Sequence, residues 1–238
     1  MKMSCLRRLG ILLWVFALTC PQLLPAGELA TTTPAIKDKN RHDGFLADIK
    51  KMNGNINLVF VGDSITDGWR GGGKTVWHKY FEQYRALNLG IGGDRTEHVL
   101  WRMQNGELEG YKARLFVIMI GTNNGNNSAG DVAEGITAIV KEIQTKQPQA
   151  KILLLDIFPR GEKPNPAREK NEEVNKIVAK LDDGKMLKYL DIGDKFLTAD
   201  KTLTKEIMPD ALHPNLKGYE IWAQAILPTV KQMMGLQQ

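Results

Sequence analysis

Residues 57–69 read NLVFVGDSITDGW. The apolar run 58–61 is short and β-branched enough to read as a buried strand, and Gly62 breaks it into a tight turn carrying Asp63 and Ser64. A serine is presented at a strand end. In an open α/β sheet the crevice at the carboxyl ends of the strands is where ligands bind, so a hydroxyl there stands where chemistry takes place. Gly-Asp-Ser is also ordinary turn vocabulary, and a serine after a strand commonly caps a helix. Which reading holds depends on whether the rest of the chain supplies partners for Ser64.

Further apolar runs follow at 86–89, 115–120, 152–157 and 187–192, and helical spacing fills the stretches 76–84, 96–103, 131–145, 167–181 and 216–234. Five strands each followed by a helix predict a five-stranded parallel sheet, doubly wound into a three-layer α/β/α sandwich. Right-handed crossovers favour a flavodoxin-like strand order. Residues 27–56 form a polar lead-in. Its Thr-Thr-Thr-Pro run at 31–34 reads as extended linker, and 41–52 as a short amphipathic helix with Phe45, Leu46 and Ile49 inward. One domain is expected over 57–238, with no internal repeat.

The 238 residues are 42% hydrophobic and 25% charged, a composition that suits one globular domain and argues against disorder or a fibre. Residues 1–26 differ. Lys2, Arg7 and Arg8 precede the apolar run 9–20, which is short for a bilayer span, and 21–26 offers a cleavage site. A secretory signal peptide cleaved near Ala26 is expected, and hence a secreted or periplasmic protein. The alternatives are a membrane anchor, or lipid attachment at Cys20, which the bulky Thr19 disfavours. Cys5 and Cys20 are the only cysteines, so the remainder of the chain can form no disulfide. Removing Lys2, Arg7 and Arg8 takes the formal charge from +5 to +2, which does not imply nucleic-acid binding.

On such a sheet, polar groups should collect at the strand ends, and they do. After the second run comes NLGIGGD (88–94), where Gly92 and Gly93 let the backbone turn sharply and bring its N–H groups near a ligand, and Asp94 is a fair cap for the next helix. After the third comes Gly121-Thr122-Asn123-Asn124. Near the C-terminus, Asp210 and His213 stand three apart, a spacing that can share one face of a helical turn, with Pro214 opening the next element. Ser64, His213 and Asp210 supply a nucleophile, a base and an orienting acid in the chain order Ser…Asp…His, a set defined by role and geometry rather than by sequence position.

These four ordered blocks, GDS at 62–64, Gly92-Gly93, Gly-Thr-Asn at 121–123 and Asp-x-x-His at 210–213, resemble those of the SGNH (GDSL) hydrolases. Within that superfamily, NLGIGGDRTEHVLWRMQNGELEG, GTNNGNN and TKQPQAKILLLDIFPRGEKPNPAREKNEEVN look very like the catalytic α subunits of intracellular platelet-activating-factor acetylhydrolase. The resemblance implies a serine esterase that needs no metal or cofactor. It makes Ser64 the nucleophile, His213 the base and Asp210 the orienting acid, and assigns the oxyanion to the N–H groups of Ser64 and Gly93 and the side-chain amide of Asn123. It places Ile65, Thr122 and Leu212 around a short, acetyl-sized acyl group, and suggests a homodimer. The expected substrate is an acetylated carbohydrate or lipid. Two features depart from those subunits: the leader, since they are cytosolic, and the segment 63–80 with Gly71-Gly72-Gly73.

Two other readings exist. GWRGGGKT (68–75) fits the P-loop pattern G-x-x-x-x-G-K-[ST], and 152–156 imitates an apolar strand ending in an acidic magnesium ligand. A P-loop, however, should leave its strand directly, whereas GDSITD intervenes. A catalytically silent binding module on the same fold is the other; it would be free to lose the polar set that this chain retains. His42, His78 and His98 read as lead-in, surface or core-edge residues, Asn126 begins an Asn-x-Ser acceptor pattern, and the loop 159–164 could border the leaving group.

Overall fold

The computed structural model describes residues 31–236; the leader expected at 1–26 lies outside the described residues. Five parallel strands form one sheet: β1 (Leu58–Gly62), β2 (Ala86–Gly90), β3 (Leu115–Met119), β4 (Lys151–Leu155) and β5 (Leu187–Leu190). Their spatial order is β2-β1-β3-β4-β5, the flavodoxin-like order expected, with β1 and β3 buried along their whole length. β1 lies between β2 and β3, pairing Gly62 with Gly90 on one side and with Met119 on the other.

Strand alternation divides the core. Val59, Val61, Phe116 and Ile118 point to a cluster closed by α1 (Lys39–Met52), α4 (Thr96–Arg102), α5 (Ala129–Lys146) and α6 (Pro166–Val178). Leu58, Phe60, Leu115 and Val117 point to the other face, against α3 (Lys74–Tyr80) and α7 (Leu216–Met233). There Trp69, Phe81 and Trp222 pack on Phe60 with ring centroids 4.9 to 6.4 Å apart, and Tyr219 packs on Trp69 at 4.5 Å. Helix starts follow local chemistry: Ser128 and Asp131 exchange side-chain bonds with each other's N–H groups at α5, and Asn165 caps α6 ahead of Pro166.

The lead-in helix α1 is longer than expected and presents His42 inward beside Phe45 and Ile49, with Leu46 half-buried. Helix α3 stops at Tyr80; the expected continuation is a separate 3₁₀ turn, Glu82–Tyr84. Between β1 and α3 lies α2 (Ser64–Asp67), a single turn whose backbone crosses β2 so closely that a side chain at Gly90 would meet the Thr66 and Asp67 backbone.

Candidate active site

Ser64 opens α2 directly after β1. Asp63 caps that turn, its Oδ1 accepting from Ile65 N–H at 3.0 Å, while Tyr219 of α7 donates its hydroxyl to the Ile65 carbonyl at 2.7 Å. Residues 210–213 do not form the helical turn that their spacing allowed. They make a compact Asx-type turn in which Asp210 Oδ1 accepts from the N–H groups of Leu212 (3.0 Å) and His213 (2.7 Å), with Ala211 at φ 58°. The competing side-chain acceptor, rather than a carbonyl four residues back, takes these N–H groups. Asn215, not Pro214, caps α7.

This turn brings the three residues into one chain of contacts. Ser64 Oγ lies 2.8 Å from His213 Nε2, across 149 residues of sequence, and His213 Nδ1 lies 2.6 Å from Asp210 Oδ2. The imidazole is 42% exposed and the carboxylate 57%, so the pair sits at the surface, open to substrate and water. Burial, the largest single influence, raises the Asp210 carboxyl, but bonds from the His213 ring and from the His213 and Leu212 N–H groups together outweigh it and leave the group below its ordinary value. A carboxylate is therefore available to hold a proton on Nδ1, which turns the Nε2 lone pair toward the serine hydroxyl.

The glycine loop after β2 borders the serine. A side chain on Gly92 would start 3.9 Å from Ser64 Cβ, and Gly93 takes φ 72°, a conformation that glycine adopts without strain. Asn123, after β3, donates its amide to the Asp94 carbonyl at 2.9 Å. Asp94 does not cap α4 as expected. Its carboxylate is instead buried against Arg102, with Nε at 3.0 Å and Nη2 at 2.9 Å, while Arg95 occupies the cap position. Arg102 pairs onward with Glu107, whose other oxygen lies 2.9 Å from His42 Nδ1. A buried chain of Asp94, Arg102, Glu107 and His42 thus links α1 to the loop beside Ser64, and buried ions without such partners would be costly.

Of the residues expected around an acyl group, Ile65 is fully buried in the α7-side core, Leu212 packs half-buried against the same cluster, and Thr122 is buried with its carbonyl and hydroxyl taken by Arg160 at 2.8 and 3.2 Å. The 159–164 loop reaches the 210–213 turn, Gly161 N–H donating to the Ala211 carbonyl at 2.8 Å. A cavity of 620 Å³ bounded by Asp156, Asn171, Tyr189 and Asp191 lies elsewhere, at the β4–β5 edge. No local pattern marked His42 or Tyr219 for these contacts, and Arg160 was marked only as part of the 159–164 loop; each bonds across a long sequence separation.

The P-loop-like stretch has another use. A side chain at Gly68 would strike the Tyr219 hydroxyl, and one at Gly73 would sit 2.7 to 2.8 Å from ring carbons of Tyr219 and Trp69. The N–H groups of Gly71, Gly73 and Lys74 bond to carbonyls within the stretch, so they are not free to cradle a phosphate. These glycines make room for α7.

The profile of the GDSL-like lipase/acylhydrolase family matches residues 60–221, and the chain belongs to that family. It is a carboxylic ester hydrolase. Subunit alpha2 of platelet-activating factor acetylhydrolase IB from Rattus norvegicus is 41% identical over 196 residues, 82% of this chain and 84% of that protein. Among solved structures, a GDSL-like lipase from Bacteroides thetaiotaomicron superposes with a TM-score of 0.68 at 19% identity, covering 80% of this chain and 97% of that one. Est24, a carbohydrate acetylesterase from Sinorhizobium meliloti, superposes with a TM-score of 0.60 at 16% identity, covering 74% and 99%. At those identities the structures share the fold.

Proposed function

We propose that this protein cleaves short-chain, chiefly acetyl, esters through a covalent acyl-enzyme on Ser64. The observation that carries the reading is the contact chain Ser64 Oγ, His213 Nε2, His213 Nδ1, Asp210 Oδ2 at 2.8 and 2.6 Å. His213 takes the hydroxyl proton as Ser64 attacks the ester carbonyl, then gives that proton to the departing alcohol oxygen. Water, deprotonated by the same imidazole, attacks the acyl-enzyme; the acid leaves and Ser64 regains its proton. Asp210 holds the imidazole tautomer and balances the transient imidazolium.

The oxyanion formed at each addition is held by the N–H groups of Ser64 and Gly93 and by the second amide hydrogen of Asn123, whose first is fixed on the Asp94 carbonyl. The acyl space is bounded by Ile65, Thr122 and Leu212. An acetylated carbohydrate or lipid is the substrate class. The likeness to an acetylhydrolase subunit and to a carbohydrate acetylesterase supports the acetyl half of this reading. Residues 1–26 would export the enzyme, and a homodimer is its proposed assembly.

The test is labelling by a fluorophosphonate, with the adduct mapped to Ser64 and lost in Ser64→Ala, followed by a chain-length series of esters and a screen of acetylated sugars, acetylated xylan and short-acyl phospholipids. No adduct on Ser64, or cleavage of long-chain esters with none of acetyl esters, would refute the proposal. Sequencing the N-terminus of exported protein tests cleavage near Ala26.

A further inference from the structure

The extended segment before α1 places a cation beside the glycine loop. Ala35 N–H donates to the Glu97 carbonyl at 3.1 Å, and Asp38 caps α1 by accepting from Arg41 N–H at 2.9 Å. Lys37, held between these anchors, donates its ammonium to the Gly92 carbonyl at 2.5 Å and lies 3.7 Å from Asp94 Oδ1. Its side chain is 34% exposed, so the bond is partly shielded from water.

The Gly92 carbonyl and the Gly93 N–H belong to one planar trans peptide unit. Fixing the oxygen fixes the direction of the N–H. A charged donor on the oxygen also draws electron density from the amide and strengthens the N–H as a donor, because hydrogen bonds in a chain polarise one another. The ammonium further offsets the buried Asp94 carboxylate, whose negative charge beside the loop would oppose an oxyanion.

We propose that Lys37 is a positioning residue of the ester-cleaving site: through the Gly92 carbonyl it orients and polarises the peptide whose Gly93 N–H receives the oxyanion. This rests on the esterase reading above and assigns a task to the lead-in, a segment outside the four sequence blocks.

Two variants separate this role from a structural one. Lys37→Met keeps the apolar stem without the charge, and Lys37→Arg keeps a cationic donor. With p-nitrophenyl acetate, Lys37→Met is expected to lower kcat about tenfold while KM stays within about twofold, a fraction of the effect of deleting an oxyanion donor outright. Phosphonylation of Ser64 by the fluorophosphonate should slow by a similar factor, the thermal unfolding midpoint should hold, and Lys37→Arg should recover most of the rate. An unchanged kcat in Lys37→Met overturns the proposal, as does a loss that Lys37→Arg leaves unrelieved. A wild-type enzyme inert to both reagents would overturn the esterase reading first, and this role with it.

Discussion

The Tyr219 hydroxyl donates to the Ile65 carbonyl at 2.7 Å, joining the first turns of α7 to the one-turn helix that carries Ser64. Tyr219 is buried against Trp69, and that burial pushes its phenol above the ordinary range, so it acts as a neutral donor. The helix that follows His213 thus also braces the turn that carries Ser64. Tyr219→Phe removes one buried bond, for a stability loss of about 1 kcal/mol by urea unfolding. Because Ser64 loses its brace, kcat should fall severalfold. Unchanged kcat would confine Tyr219 to packing.

Asn123 is fixed from behind by the Asp94 carbonyl. Replacing it with alanine leaves the loop's backbone intact and deletes the proposed third oxyanion donor, so kcat should drop about 10²- to 10³-fold with little change in KM. Steady-state kinetics on an acetyl ester with a matched unfolding curve checks this. Preserved turnover would remove Asn123 from the site.

Gly73 and Lys74 distinguish packing from phosphate binding. Gly73→Ala drives a methyl group into the Tyr219 and Trp69 rings, and overpacking of this kind costs about 1–3 kcal/mol. Lys74 is exposed, and Lys74→Ala should change stability by less than about 0.5 kcal/mol. Magnesium-ATP should not shift the unfolding midpoint of the wild type; a clear upward shift would restore the nucleotide reading.

Two deeply buried carboxyls contribute to the pH dependence of stability. Burial pushes both Asp63 and Asp156 up to about 7 from an ordinary 3.8. Between those values the folded chain binds these protons and the unfolded chain does not. Stability from this source is therefore full near pH 4 and is lost as pH rises through 7, with a slope of at most about 1.4 kcal/mol per pH unit per group. Asp63 Oδ2 is buried without a partner, so Asp63→Asn keeps the Oδ1 cap on Ile65 N–H and removes one titrating charge. Urea unfolding from pH 4 to 8 should show a shallower decline in Asp63→Asn than in wild type. Parallel curves would show that Asp63 does not titrate in this window.

The sequence by itself determined the five strands, because continuous apolar runs have to be buried on both faces of a sheet, and it marked the turns where glycine and polar residues gather at the strand ends. It also supplied the residue types of the site, since Ser64, Asn123, Asp210 and His213 each stand in a recognisable local setting. The turn at 210–213 went the other way from its helical spacing because the Asp210 side chain captured the N–H groups that a helix would have used. Asp94 reads locally as a cap, and His42 as an ordinary lead-in residue. Only the folded chain pairs Asp94 with Arg102 and places His42 on Glu107, 65 residues away. The physical reason is range. Propensity and periodicity act over a few residues, whereas buried ions and hydroxyls must find partners wherever packing brings them, so the tertiary structure alone decided what lies behind Ser64 and what Lys37 touches.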